Sequence, residues 1–170
     1  MREFIIALSL PVSGIISFPQ SGCGQTICTP KEIRTEIIIN APSAEAWKLL
    51  TDFDAYSGWH PYILKIEGKI ALKEKIKVTT IDADSTADQF SAFVLELEPE
   101  KKLSWGGSLG FIFSAKHYFI IEPINDDQIR FVQGEYWHGL FGKHYGEKIY
   151  LDTFQKFIAM NEKMKILLEG

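Results

Sequence analysis

Cysteine is nearly absent from this chain: of 170 residues only Cys23 and Cys28 carry a thiol, both near the N-terminus. A disulfide between them would staple only a tail, and their spacing suits no metal site. Basic clusters are missing as well. Lys and Arg number 18 against 22 Asp and Glu, a formal net charge of −4. The electrostatic footprint of a nucleic-acid binder is therefore lacking. There is no internal repeat and no low-complexity run. No HExxH spacing offers a zinc site, and no GxSxG elbow offers a nucleophile. Gly106, Gly107 and Gly110 stand before a strand and read as a flexible turn, not as a phosphate loop. Four histidines, His60, His117, His138 and His144, are the remaining acid–base candidates. Neither a metal nor a cofactor is expected.

What is present is the composition of a globular protein. Hydrophobic residues make up 46% and aromatic residues 13%, too apolar for a disordered chain. The length fits one domain, large enough to fold without disulfides. That domain is expected over residues 31–170, after an extension over residues 1–30. Within the extension, Phe4 to Phe18 is nearly free of charge but holds Pro11 and Gly14. It is short for a membrane span and long enough for the core of a signal peptide. Gln20-Ser21-Gly22-Cys23 resembles a bacterial lipoprotein cleavage site, departing from it at Gln20. Export is expected, to a secreted, periplasmic or lipid-anchored state, with a cytoplasmic protein as the alternative if the extension is no signal. Membrane contact is expected only through this segment, and the domain is expected to be a monomer.

From Ile33 the pattern changes. Ile33, Thr35, Ile37 and Ile39 alternate with Arg34, Glu36 and Ile38, which reads as a strand. Ser43 is placed to cap a short helix over residues 44–51, with Ala46, Trp47 and Leu50 inward. Gly58 and Pro61 limit the next aromatic segment, residues 53–62, to one short helical turn and a loop. Six strands are then predicted: 63–67, 75–81, 90–98 (stopped by Pro99), 103–105, 114–122 (stopped by Pro123) and 129–137. Alternation along them, with Phe93, Leu95 and Leu97 opposing Glu96 and Glu98, indicates an antiparallel sheet with one solvated side. Gly134, Gly139 and Gly142 are read as bends near the end of the last strand.

A helix over residues 147–168 closes the chain. Tyr150, Leu151, Phe154, Phe157, Ile158, Met164 and Leu168 fall on one face, and Lys148, Asp152, Lys156 and Lys163 on the other. Asn161 and Lys165 interrupt the apolar stripe. A dry core would cost a lone amide roughly 2–7 kcal/mol there, so the stripe is partly wet or Lys165 snorkels outward. The fold class is α+β: a curved antiparallel β-sheet wrapped around a long C-terminal α-helix, with two short helices after the first strand.

The opening TEIIINAPSAEAWKLLTDFDAYSGWHPY, then KKLSWGG, AKHYFIIEP, IRFVQGEYWHGLFG and FQKFIAMNEKMKILLE follow a known pattern in order and spacing. Over about residues 32–169 the chain resembles the START-like, or Bet v 1-like (SRPBCC), superfamily, which includes polyketide cyclase/dehydrase and lipid-transport proteins. The resemblance implies the helix-grip fold, with an internal cavity between sheet and final helix that takes lipids, polyketides or other hydrophobic small molecules. The fold hosts binders, carriers and enzymes alike, so function rests on the site. A carrier or sensor of an apolar ligand is the first reading and a cyclase or aromatase the second.

Strand parity nominates the lining. Val78, Phe93, Leu95, Leu97, Trp105, Phe119, Ile121, Phe131 and Trp137 are expected to face Phe154, Phe157 and Ile158, with Trp59 and Tyr62 near the mouth. A turn centred on Asp126 pairs Ile121 with Phe131 and Phe119 with Gln133, and so sets His117 opposite Glu135. Opposed Cβ atoms lie about 4.5–5.5 Å apart, close enough for imidazole to meet carboxylate. Two readings stay open. Each group simply satisfies the other, or the pair, with Gln133 and Asn161, is the polar anchor of the cavity.

Overall fold

A computed structural model describes residues 32–82, 85–139 and 147–170. The extension on which the export expectation rests, with both cysteines, and also Gly142 and His144, lie outside the described residues. Strand β1 (Glu32–Ile39) is followed by helix α1 (Ser43–Thr51), a 3-10 turn (Phe53–Ala55) and the short helix α2 (Tyr56–Trp59). Six strands follow: β2 (Ile63–Glu67), β3 (Lys75–Ile81), β4 (Ala87–Glu98), β5 (Lys102–Ser108), β6 (Ser114–Asn125) and β7 (Gln128–His138). Helix α3 (Glu147–Glu169) ends the chain. The seven strands form one antiparallel sheet in the order β1-β7-β6-β5-β4-β3-β2. This curled sheet with its long helix is the helix-grip arrangement.

Local chemistry explains most boundaries. Helix α1 begins at Ser43, not after it. The Pro42 carbonyl accepts from the Glu45 and Ala46 amides at 3.1 and 3.3 Å, and Ser43 makes no capping bond. Tyr56 Oη donates to the Leu50 carbonyl at 2.8 Å, which locks α2 onto the end of α1. Pro123 does not stop β6. The strand runs on to Asn125 through a register shift, the usual way a ladder absorbs a residue without an N–H.

The parity reading fails in β4. Ala92 and Val94 are buried, whereas Phe93 is 47% and Leu95 43% exposed, so both point to the outer face. The ladder to β5 shifts between Val94, which pairs with Trp105, and Glu96, which pairs with Ser104. Leu95 is the extra residue of a β-bulge, and a bulge puts two consecutive side chains on one side. Glu96 follows Leu95 outward, where Lys102 and Lys116 contact it at 2.8 and 2.7 Å. Beyond the bulge the phase is restored, and Leu97 packs against the core.

Helix α3 packs chiefly along β1. Phe157, Met160, Asn161 and Met164 are buried, with Tyr150, Phe154 and Leu168 packed partly against the core. Leu151 is 48% exposed and does not belong to the stripe, whereas Met160 does. Of the two alternatives for Lys165 the snorkelling one is found: its Nζ donates to the Ile38 carbonyl at 2.8 Å and pairs with Glu169. Glu169 in turn accepts from the Asn40 amide at 2.7 Å, so the end of α3 is tied to the end of β1.

Gly134 is no bend. It sits in the unbroken middle of β7, between Tyr118 of β6 and Arg34 of β1. A Cβ there would lie 2.3 Å from the Tyr118 ring and 2.7 Å from the Ile33 carbonyl. The glycine lets that ring lie across the sheet, where Tyr118 Oη donates to Glu32 at 2.6 Å. Gly134→Ala is therefore expected to destabilise by about 1–3 kcal/mol through overpacking. Chemical denaturation checks this, and an unchanged midpoint would show that the tyrosine moves away freely.

Candidate functional site

A cavity of about 440 Å³ opens between the inner face of β4–β7 and the β5–β6 loop. It exists because the inward positions there are small. Ala92 of β4, Gly107 of β5 and Ala115 of β6 leave room that larger residues fill elsewhere on the sheet. Trp105 forms one wall, and Phe90, Leu109 and Phe113 add apolar surface toward the opening. Among the described residues two polar side chains line it, His117 and Glu135, apart from Ser91 and Ser108. An apolar chamber of several hundred Å³ with few polar groups is the usual form of a small-molecule site.

The expected register is found: His117 lies opposite Glu135. The expected contact is not. The imidazole Nε2 lies 2.9 Å from Gln133 Nε2, and the same amide nitrogen lies 3.2 Å from Tyr62 Oη. Gln133 is the diagonal neighbour of His117, and diagonal partners are within reach of long side chains. With the amide nitrogen donating to both, the His117 proton is on Nδ1, the imidazole nitrogen left for the cavity. Its ring stacks against Phe119 and Phe157, at centroid distances of 4.5 and 4.8 Å. Burial pushes its pKa down to about 3, so the ring is neutral at physiological pH. Glu135 bonds instead with Trp137. Burial raises its carboxyl to about 7, and the Trp137 bond offsets only part of that rise. The charged pair whose rupture would cost roughly 3–5 kcal/mol is thus replaced by two neutral-leaning groups with different partners.

Behind His117 the polar groups continue inward. Thr35 Oγ1 donates to the Gln133 carbonyl at 3.3 Å and accepts from Asn161 Nδ2 at 3.0 Å. Asn161 therefore joins the same cluster from α3. His60 Nδ1 accepts from the Ile63 amide at 3.0 Å, which leaves its proton on Nε2. Burial first, then the nearby His117, lowers its pKa to about 3. Among the described residues four buried atoms have no protein partner: Trp59 Nε1, His60 Nε2, Gln133 Oε1 and Asn161 Oδ1. Two are donors and two are acceptors, and none of the four residues lines the cavity, so this unspent hydrogen-bonding capacity lies behind its wall.

Of the residues nominated from sequence, Trp105, His117 and Glu135 line this cavity. Tyr62, Gln133, Asn161, Phe119 and Phe157 stand in a layer directly behind His117. Trp59, Val78 and Phe131 are buried core; Phe154 and Ile158 are partly buried on α3. Phe93 and Leu95 are on the outer face, for the reason given by the bulge. The last helix does not wall this cavity, whose described lining comes from strands and one loop; α3 reaches it only through Phe157 against His117. Sequence reasoning named His60 only as one of four acid–base candidates and Thr35 only as a strand residue, and did not nominate the small residues as cavity lining. Parity from Trp105 leads to Gly107, and from His117 to Ala115, so that part of the chamber had a signal.

The raised carboxyl has a pH signature. A folded pKa of about 7 against 4.5 unfolded means the folded chain holds the proton longer. Stability from this group is full below about 4.5 and is lost as pH rises through about 7. The buried histidines act in the opposite sense, adding stability as pH rises from about 3 to 6.5. Glu135→Gln isolates the first effect. Its stability relative to wild type is expected to improve by about 2 kcal/mol between about pH 5 and about pH 8, allowing for partial exposure to the cavity. Denaturation curves across that range check it, and a flat difference would place the carboxyl in water.

Comparison with known proteins agrees with this architecture. The family model for polyketide cyclase / dehydrase and lipid transport matches residues 30–157. No curated protein matches the chain. Among solved structures, a START superfamily protein from Mycobacterium smegmatis is similar at 14% identity and TM-score 0.65, covering 81% of this chain and 97% of its own. The Zhui aromatase/cyclase from a Streptomyces species is similar at 11% identity and TM-score 0.65, covering 81% and 93%. Ara h 8.0201 is similar at 14% identity and TM-score 0.64, covering 81% and 97%. At these identities the likeness concerns the fold. The match over most of the domain settles membership: the chain belongs to the polyketide cyclase / dehydrase and lipid transport family of the START-like, Bet v 1-like superfamily.

Proposed function

We propose that this protein binds an apolar small molecule with a polar end in the cavity beneath the β5–β6 loop, as a carrier or sensor. The observation that carries the reading is the junction of a small-residue apolar chamber with a buried polar cluster. His117 and Glu135 stand at the boundary. Neutral His117 offers Nδ1–H to a carbonyl, and protonated Glu135 offers O–H or accepts from a hydroxyl. Gln133, itself bonded to Tyr62, holds the imidazole in place from behind. Family membership supports a hydrophobic ligand. Export of the carrier is part of the same reading, on the strength of the charge-poor stretch from Phe4 to Phe18, and cell fractionation tests it.

A cyclase-type activity is the second reading. It is favoured by one observation: a neutral imidazole and a carboxyl titrating near neutrality stand at opposed positions of adjacent strands at the cavity wall. Turnover of a poly-β-ketone thioester by wild type and its loss in His117→Phe would establish that reading over simple carriage.

The binding reading is tested by filling the chamber. Ala115 lines it, whereas Ala159 is exposed on the outer side of α3. N-phenyl-1-naphthylamine fluoresces when it enters an apolar site. Ala115→Trp is expected to weaken its binding at least tenfold, about 1.4 kcal/mol, and Ala159→Trp to leave it unchanged. Equal binding by the two variants would mean that the probe sits elsewhere.

A further inference from the structure

Among the described residues the cavity carries one ionisable carboxyl and no cation to answer it. Among the described residues its lining includes no lysine and no arginine. The groups around Glu135 can be taken element by element. From β6 it faces His117, which is neutral and engaged by Gln133. From β1 it faces Ile33. On β7 itself Trp137 bonds with it, and Gln133 is an amide. Tyr62, close enough to feel its charge, is a phenol that burial holds protonated. His60 beyond it is neutral. Lys156 of α3 lies 5.9 Å above the Tyr62 ring and is already paired with Asp82. Glu135 is thus a partly buried acid that no described cation neutralises. A carboxyl in that position is satisfied by a proton or by a cation brought from outside, and is repelled by a second anion.

We propose that the cavity reads the charge of its ligand's head group through Glu135, taking an apolar amine in preference to the carboxylate of the same chain. This inference rests on the binding reading above and specifies the ligand class. An ammonium beside Glu135 holds the carboxyl ionised, so binding releases the proton that Glu135 carries in the empty site. A fatty carboxylate needs that proton retained between the two acids. The two ligands therefore respond to pH in opposite senses. Amine affinity rises with pH up to about 7, where the free carboxyl titrates, and carboxylate affinity falls as pH rises above about 7, because binding must then restore the proton.

The test is displacement of bound N-phenyl-1-naphthylamine from the full chain by dodecylamine, dodecanol and dodecanoate, each below its micelle concentration, at about pH 6 and about pH 8. Dodecylamine is expected to displace the probe at least tenfold more tightly than dodecanoate at the higher pH, with dodecanol between them. Glu135→Gln, isosteric with the wild-type side chain, is expected to remove both the preference and the opposed pH slopes. Should that variant fail to fold, the wild-type slopes decide alone. Equal or tighter binding of dodecanoate at the higher pH overturns the charge selection and leaves the cavity reading intact. Failure of the probe and all three ligands to bind overturns the cavity reading, and the selection with it.

Discussion

Gln133 is an amide with 0% exposure, set in the inner, apolar face of the sheet. Its burial is the constraint on which the neighbouring structure depends, because an unbonded amide costs several kcal/mol in such surroundings. The nitrogen end meets this by donating to Tyr62 and His117, while Oε1 stays without a protein partner, and each donation fixes something else. Tyr62 is held over the sheet at the point where the chain leaves α2. His117 is held in one tautomer, with its ring between the amide and the cavity. The backbone carbonyl of the same residue accepts from Thr35, which receives Asn161 of α3. One residue therefore joins the sheet, the segment before β2 and the last helix. It also explains why Asn161 interrupts the apolar stripe of α3.

The cavity follows from a second, simpler constraint. A sheet curled around a helix must be filled from its inner face, and the filling depends on side-chain volume at each inward position. Toward α3 those positions are Phe131, Phe119 and Ile129, all with 0% exposure. Toward the β5–β6 loop they are Ala92, Gly107 and Ala115. Close packing extends as far as the large residues do and stops where they stop. The polar cluster sits at that boundary, which is why its outermost members face open space while its innermost atoms lack protein partners. The two histidines there are neutral and the carboxyl holds a proton near neutral pH. The site is thus poised to exchange hydrogen bonds, and one charge, with a guest.

Much of this was legible in the sequence, and the failures have physical causes. Period-two alternation placed Ile33, Val78, Trp105, Phe119 and Phe131 inward, because one face of the sheet is solvated and the other is not. Counting from the Asp126 turn gave the His117–Glu135 register. Alternation misplaced Phe93 and Leu95 because it has no memory of a bulge, and nothing local to Leu95 announces one. Register misidentified the partner of His117 because it fixes Cα opposition, whereas side-chain length and burial choose between direct and diagonal contacts. Periodicity also took Leu151 for core, since an amphipathic pattern does not say where the sheet's coverage of the first turn of α3 ends. His60 was visible only as an acid–base candidate, because its actual role depends on two backbone amides of the following segment.

The central claim is that the small-residue chamber and the Gln133–His117 boundary form one ligand site. A crystal structure of the protein saturated with an apolar ligand that displaces the naphthylamine probe tests it most directly. The account predicts density filling the space between Trp105 and Ala115, with the ligand's polar atom within hydrogen-bond distance of His117 Nδ1 or the Glu135 carboxyl. A ligand seated elsewhere on the molecule, with Glu135 and His117 untouched, would contradict it.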